Sequence, residues 1–271
     1  MKMKTLFAAF LSVGLALSPP VAIAAADGTA VGVDPDAVAR INSTDRVLLV
    51  GAEVSMGETV TTGPRGRVQL LFADETKIVV GPGSSLKIET YLMNGNTADK
   101  LAIRALGGTF RFISGVSPKS AYSIHTPTAA IAVRGTSFDL SVDSEGTKVL
   151  LFDGALSVCR ASSCVDLIDR CDLAIADTSR SQVFRWDDSG RGNMARAFPI
   201  AVVQSVLLRP FRIPAAGACL TDMPPAAQSL SNGPGGEQGS QPSQNSGTTP
   251  TNISSTSNTA PTPAAGRGGK N

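Results

Sequence analysis

The sequence predicts an all-β fold between residue 27 and about residue 220. Large apolar residues alternate there with polar or small ones, as in Val68, Leu70 and Phe72. A period of two places alternate side chains on one face of a strand. Turn-forming residues separate these segments at intervals typical of many short strands. No 11-residue window of this region keeps a helical apolar period without a Gly or Pro.

The expected strands follow one another closely along the chain. They are marked by the apolar sets Val68/Leu70/Phe72, Ile78/Val80, Leu86/Ile88, Leu101/Ile103, Phe110/Phe112, Phe138/Leu140/Val142, Val149/Leu151 and Leu156/Val158. The turns expected around and between them are Gly63-Pro64, Asp74-Glu75, Gly81-Pro82-Gly83, Asn94-Gly95, Gly107-Gly108, Ser117-Pro118, Glu145-Gly146 and Asp153-Gly154. Periodicity does not distinguish between a sandwich, a roll and a solenoid.

Residues 1–26 are predicted to be a cleaved signal peptide. A basic start with Lys2 and Lys4 precedes an apolar run at 6–17, and small residues allow cleavage after Ala24 or Ala26. The alternative is an uncleaved anchor, but 12 residues of helix are too short for a hydrocarbon core of about 30 Å. The expected location is therefore periplasmic or secreted. We expect a protein that does not span the membrane.

The four cysteines are predicted to form disulfides, because their number is even and the expected compartment is oxidising. Cys159 and Cys164 flank four residues that can turn a hairpin, which leaves Cys171 and Cys219 to close a long loop. Four cysteines allow three connectivities, so the pairing stays open at this stage. A zinc site is the alternative, but the spacing lacks paired C-x2-C knuckles.

A short apolar stretch at 197–208 is expected to pack on the domain as a buried strand or short helix.

Residues 224–271 are predicted to be a disordered tail. Gly, Pro, Ser, Thr and Asn dominate, and Leu230 and Ile253 are its only large apolar residues. Such a segment buries too little apolar surface to offset its ordering entropy. A spacer or linker role and no specific role are both open.

Charge and composition argue against several functions. The chain has 24 Lys and Arg against 22 Asp and Glu; removing Lys2 and Lys4 leaves 22 against 22. A neutral chain without a basic cluster is a poor candidate for binding nucleic acid or an anionic membrane surface. The single histidine has no recognisable partner for catalysis. We therefore expect no catalytic, metal-binding or cofactor-binding residues.

Five blocks in order resemble the FecR-domain proteins of bacterial envelopes. The most specific block is 122–138, which reads YSIHTPTAAIAVRGTSF. The others lie at 56–63, 66–77, 78–86 and 106–112. The resemblance implies a solenoid- or roll-like periplasmic β-domain without known catalysis. The best-known members are single-pass membrane regulators that relay transporter occupancy to a sigma factor. This chain shows neither a cytoplasmic segment nor a transmembrane helix, so we expect the exported domain but not that regulator's architecture.

The resemblance and the composition together divide the chain into four parts. These are a signal peptide at 1–26, a FecR-like β-domain at 27–158, a disulfide-linked β or irregular extension at 159–223 and the tail at 224–271. The signature residues, expected to be structural, are Thr126, Pro127, Arg134, Gly135, Thr136 and Phe138. Arg134 could bind a carboxylate or phosphate of a ligand, or it could pair inside the chain with an acid such as Asp139.

The expected function is that of an exported, non-enzymatic protein-interaction module of the cell envelope. One alternative is a glycan-binding module for peptidoglycan or exopolysaccharide, for which the aromatic candidates are Trp186, Tyr91 and Tyr122. Another is a component of a transporter-linked signalling relay. An envelope protein is the expected partner, and the sequence does not set the oligomeric state.

Overall fold

A computed structural model describes residues 27–179, 182–185 and 191–221 of this chain. The predicted signal peptide at 1–26, the predicted tail at 224–271 and Trp186 lie outside these described residues. Strands dominate the described part, which confirms the all-β prediction. The strands are β1 (Gly28–Asp34), β2 (Ala37–Ile41), β3 (Thr44–Val47), β4 (Glu53–Val54), β5 (Thr59–Thr62), β6 (Arg67–Phe72), β7 (Lys77–Val80), β8 (Ser85–Asn94), β9 (Thr97–Ile113), β10 (Tyr122–His125), β11 (Ala130–Val133), β12 (Ser137–Val142), β13 (Gly146–Asp153), β14 (Leu156–Arg160), β15 (Ser163–Leu167), β16 (Leu173–Asp177) and β17 (Val183–Arg185).

The strands form two sheets that share β9. Sheet A runs β4–β1–β6–β7–β9–β12–β13–β16–β17. Sheet B runs β3–β2–β5–β8–β9–β10–β11–β14–β15. Only β9 and β10 pair in parallel among the described strands, and the chain passes repeatedly from one sheet to the other. This roll-like path differs from a solenoid of stacked parallel strands.

The strand β9 corrects one expectation from the sequence. Gly107 and Gly108 were predicted to form a turn, but β9 continues through them and bends from sheet B into sheet A. Gly108 has a φ of +101°, and a Cβ there would lie 2.1 Å from the Ser84 hydroxyl oxygen. Only glycine tolerates both conditions. The bend allows a single strand to hold both sheets around one core.

The main core lies between the two sheets and consists of the alternating apolar residues. Val68, Leu70 and Phe72 are each at most 2% exposed, as strict alternation on one buried face requires. The same cluster contains the inward residues of both sheets, from Ala30 to Val183. The boundary drawn at residue 158 falls inside β14, and β15, β16 and β17 of the extension continue the two sheets.

Residues 191–221, here named the C-terminal cap, cover the outer face of sheet A. The cap contains a short α-helix, α1 (Pro199–Val202), and three short 3-10 turns at Arg191–Arg196, Arg209–Phe211 and Ala216–Leu220. The packing expected for 197–208 is found in part, because the short helix packs on the sheet while Val202, Val203, Val206 and Leu208 of that stretch are exposed. Two apolar clusters join cap and sheet: Phe198, Ala201, Ala216 and Leu220 pack with Leu150, Phe152 and Leu173, while Ile200, Leu207 and Phe211 pack with Val79.

A buried ion pair lies between sheet A and the cap. Arg111 of β9 and Asp139 of β12 are neighbours in the sheet, and their side chains are 0% and 2% exposed. The Arg111 Nε and Nη2 atoms donate to the two carboxylate oxygens at 2.7 and 2.9 Å. Its Nη1 donates to the Gln204 side chain at 2.5 Å and to the Phe211 carbonyl at 3.3 Å. The guanidinium therefore bonds to the sheet and the cap at once.

Both disulfides form between the cysteines that the hairpin argument pairs. Cys159 and Cys164 lie directly opposite each other on β14 and β15. Cys171 and Cys219 close a sequence separation of 48 residues and fasten the end of the cap to the segment before β16. The second bridge thus holds the cap on the sheet.

We predict that the two disulfides differ in their contribution to stability. Chain entropy gives about 4 kcal/mol for the Cys171–Cys219 loop and about 2 kcal/mol for the Cys159–Cys164 loop. Urea unfolding of the variants C171S/C219S and C159S/C164S should show this order. Only the first variant should also bind a hydrophobic dye, since its cap can leave Leu150 and Phe152. Equal losses in the two variants would contradict this role of the cap bridge.

We predict that Arg111→Ala lowers the free energy of unfolding by about 3–5 kcal/mol, because it leaves a buried carboxylate without its partner. The matched control is Arg104→Ala on the same strand. Arg104 pairs with Glu89 at 2.6 Å, but its side chain is 44% exposed, so its removal should cost at most about 1 kcal/mol. The double variant R111L/D139L should recover much of the loss. Similar costs for the two single variants would show that burial does not set the strength of the Arg111 pair.

Candidate interaction surface

The outer face of sheet B differs from that of sheet A, which lies under the cap. We name as the open face the outward side chains of β9, β10, β11 and β14. It contains one row of small residues in register across the strands and, beside it, a row with two longer side chains. The first row is Ala102, Ser123, Ala132 and Ser157, and the second is Arg104, His125, Ala130 and Cys159. Ala130, Ala132 and Arg104 are exposed, whereas Ala102 and Ser157 are buried.

Charged groups border the open face. Arg104 pairs with Glu89, and Arg134 donates to the Ser157 hydroxyl at 3.3 Å. The Ser157 hydroxyl in turn donates to Asp166 of β15. Both signs of charge are present at this border. No group of three His, Cys, Asp or Glu side chains suited to a metal ion occurs among the described residues.

The hairpin of β2 and β3 forms one end of sheet B. Asn42 and Ser43 connect the strands with φ values of 46° and 67°, as a two-residue turn of type I′ requires. The residues that flank such a turn, Ile41 and Thr44, form a hydrogen-bonded pair. Farther along β2 and β3, non-hydrogen-bonded and hydrogen-bonded pairs then alternate. The N–H and C=O groups of Asp45 and Val47 therefore point away from β2. No described strand pairs with β3 on that side, which makes β3 an edge strand.

Side chains fix this edge in place. Arg40 Nη2 donates to Asp45 at 2.7 Å, and this bond lowers the pKa of the Asp45 carboxyl. Arg46 bonds to Glu58 at 2.8 Å. Val47 is 70% exposed beside the edge. An ordered edge with an exposed aliphatic side chain can accept an additional strand.

Most signature residues from the sequence occupy turns and the core. The Thr126 hydroxyl accepts the Ala129 N–H at 2.8 Å, and Pro127 next to it is exposed in the same turn. Gly135 has a φ of +72°. The Thr136 hydroxyl donates to the Asp153 carbonyl at 2.6 Å. These contacts hold the β10–β11 and β11–β12 connections in shape.

Phe138 and Arg134 have different surroundings. The Phe138 ring is buried 5.5 Å from the ring of Phe112. Arg134 is exposed at the border of the open face. The expectation that Arg134 pairs with Asp139 is wrong, because Asp139 lies on the opposite sheet beneath the cap and pairs with Arg111.

Two of the three aromatic candidates for glycan binding are buried in a polar cluster. Tyr91 and Tyr122 are 5% and 3% exposed, so neither ring can stack on a sugar. The Asp74 carboxylate, which is fully buried, accepts from the hydroxyls of Tyr122 at 2.9 Å, Ser117 at 2.7 Å and Thr76 at 2.8 Å. The Tyr91 hydroxyl lies 3.4 Å from the same carboxylate. The cluster fixes the β6–β7 turn against the core.

Sequence reasoning predicted neither the edge strand nor the contact of Arg111 with the cap. Opposite charges at Arg40 and Asp45 on either side of Asn42-Ser43 could have identified the hairpin. Nothing in the local sequence around Arg111 distinguishes a buried arginine from an exposed one, since its partners Asp139 and Gln204 are far away along the chain.

We predict that neither tyrosine of this chain ionises normally while the protein is folded. Burial raises the pKa of Tyr91 to about 12 and also raises the pKa of Tyr122. The chain has only two tyrosines, so phenolate absorbance at alkaline pH reports both. The folded-state pKa lies above the unfolded value near 10. The stabilisation of the fold by the two neutral tyrosines is therefore complete below pH 10 and decreases as the pH rises toward 12. Normal titration in the native protein, matching that in urea, would contradict this burial.

Comparison with known proteins shows that part of the β-domain is similar to a known family. The family model described as FecR protein matches residues 58–157. Two crystal structures, each of a Parabacteroides distasonis protein provisionally described as an anti-sigma factor, are similar over 51% of this chain with TM-scores of 0.42 and 0.41. Sequence identity is 15% and 16%, and the match spans 63% and 62% of those chains. No curated protein matches this chain significantly.

Strands β1 to β4 lie before the matched region yet belong to the same two sheets. Within the described residues, no helix has the length and apolarity needed to cross a membrane. The family match overlaps all five sequence blocks between residues 56 and 138 and includes strands β5 to β13. Residues 58–157 of this chain therefore match the FecR family.

Proposed function

We propose that this chain is an exported, non-enzymatic FecR-domain protein that acts as a protein-interaction module in the bacterial cell envelope. The observation that carries the proposal is the edge strand β3. Its Asp45 and Val47 backbone groups point away from the sheet, and a partner strand would satisfy them by extending sheet B. The exposed Val47 side chain would provide an apolar contact at the same place.

Two further features support the choice of sheet B. The cap already occupies the outer face of sheet A, so a partner that approached sheet A would have to displace it. The open face, which β2, β5 and β8 separate from β3 in sheet B, is mixed in charge, as in surfaces that exchange protein partners. The two disulfides fit an oxidising compartment such as the periplasm.

The FecR domain also favours a place in a transporter-linked signalling relay, in which the partner would be another envelope protein. A glycan-binding role has less support, because Tyr91 and Tyr122 are buried and Trp186 lies outside the described residues. Crosslinking in intact cells distinguishes these functions, since a protein partner yields a discrete crosslinked species and a glycan does not.

We predict that Val47→Pro abolishes partner capture while the domain stays folded. Proline removes the outward N–H of the edge, and it is tolerated on edge strands because that N–H makes no bond within the sheet. The matched control is Val47→Thr, which keeps the N–H and the branched side chain. Tagged versions would be crosslinked in cells and analysed by mass spectrometry and thermal unfolding.

The expected result is one discrete protein partner whose yield drops at least tenfold in V47P but not in V47T. Recovery of the same partner with V47P would exclude β3 as its site. Recovery of glycan-derived material alone would replace the proposal by the glycan-binding function.

A further inference from the structure

The C-terminal cap exposes a ridge of aliphatic side chains on the side away from sheet A. Val202, Val203, Val206 and Leu208, here named the cap ridge, are between 43% and 53% exposed. The same segment buries Phe198, Ile200 and Leu207 on its other side. Four large aliphatic residues exposed within seven positions form a patch of the kind that marks an interaction site.

The cap is also basic although the mature chain is formally neutral. Residues 191–221 contain four arginines and no Asp or Glu: Arg191, Arg196, Arg209 and Arg212. Arg209 follows the ridge directly and is exposed. Arg212 donates from Nε to the Leu207 carbonyl at 2.7 Å and from Nη2 to the Ser205 carbonyl at 2.8 Å, so its guanidinium lies against the turn that carries Val206. Positive charge therefore borders the apolar ridge.

A groove opens beside the ridge, between the cap and the β7–β8 turn. Its volume is about 230 Å³, which gives room for one aliphatic or aromatic side chain. The lining residues are Arg67, Pro82, Pro199, Ile200, Val203 and Leu207. Arg67 is the one charged group among them, and it lies 2.9 Å from Asp34 in an ion pair without the alignment of a hydrogen bond.

We propose that the cap ridge and this groove form a second docking site, for an acidic protein segment with an aliphatic or aromatic anchor residue. The anchor fills the groove against Ile200 and Leu207, and neighbouring carboxylates meet Arg209 and Arg212. Such an arrangement, an apolar anchor in a pocket with charges at the rim, is common at protein interfaces. The site is separate from β3 and does not depend on the edge-strand function.

Charge and shape distinguish this occupant from two others. A second copy of the chain docked cap to cap would bring two sets of arginines together without any carboxylate from either cap, which like charges disfavour. An anionic lipid surface would suit the ridge and the arginines, but it has no side chain to place in a walled groove. The groove therefore favours a protein segment.

The test is selection of random 12-residue peptides displayed on phage against the mature full-length chain. Enriched peptides should combine acidic residues with a large apolar residue. A fluorescent synthetic copy of the best peptide should bind more weakly as salt rises. Its Kd should rise at least tenfold for V203S/V206S and for R209E.

Matched controls lie elsewhere on the molecule. Leu49→Ser and Val47→Ser remove aliphatic residues that are even more exposed, at 68% and 70%, and Arg134→Glu reverses an exposed charge on the open face. None of these should change the Kd of the peptide. The β3 variant V47P should also bind it normally, so failure of the edge-strand function and failure of this site are distinguishable.

Several results would overturn the proposal. These are the absence of any enriched peptide, enrichment of peptides without acidic residues, and binding that is unchanged in V203S/V206S or R209E. Sedimentation with phosphatidylglycerol vesicles that R209E abolishes, in the absence of peptide binding, would assign the ridge to a lipid surface. A dimer in light scattering that V203S/V206S dissociates would assign it to a second copy.

Discussion

The buried pair of Arg111 and Asp139 is the constraint on which the arrangement of this domain depends. Both charges lie in the middle of sheet A with almost no contact with water, and a buried charge is tolerated only when all its bonding groups find partners. Asp139 satisfies two of the guanidinium nitrogens. The third reaches Gln204 and the Phe211 carbonyl of the cap, and the ring of Phe152 lies 5.3 Å from the guanidinium carbon. The cap therefore supplies hydrogen-bond acceptors to this pair and also covers apolar surface.

A difference between the two sheets follows from this constraint. Sheet A is enclosed by the shared core on one side and by the cap on the other, so its residues are committed to internal contacts. Among the residues that the structure describes, sheet B packs on the core with one side and ends at the edge strand β3. In this part of the chain, the surfaces that remain for partners are consequently the open face, the edge strand β3 and the outside of the cap. The long strand β9 connects these environments, since Arg104 on its sheet B half is exposed and Arg111 on its sheet A half is buried.

Local sequence patterns predicted those parts of the structure that local physics determines. Alternation at Val68, Leu70 and Phe72 and the cysteine-flanked hairpin at 159–164 depend on neighbouring residues, and both appear as expected. The pair Gly107-Gly108 is compatible with a turn and with a bend, because glycine pairs favour both, and only the pairing of β9 with partners in two sheets decides between them. The partner of Asp139 could not be read from the sequence because Arg111 and Arg134 are both within reach along the chain. The pleat of the strands and the position of the cap select Arg111.

The apolar side chains of the cap fall into two sets, one that folding requires and one that it does not. Covering sheet A requires the apolar side chains of Phe198, Ile200 and Leu207, which are at least 96% buried. The ridge of Val202, Val203, Val206 and Leu208 keeps about half of its surface in water, where aliphatic side chains contribute little to stability. Polar residues at these positions would leave the contacts with Arg111 and the Cys171–Cys219 bridge intact. Because packing accounts for the buried side of the cap alone, the apolar and basic character of its exposed side is better explained by a partner than by the fold.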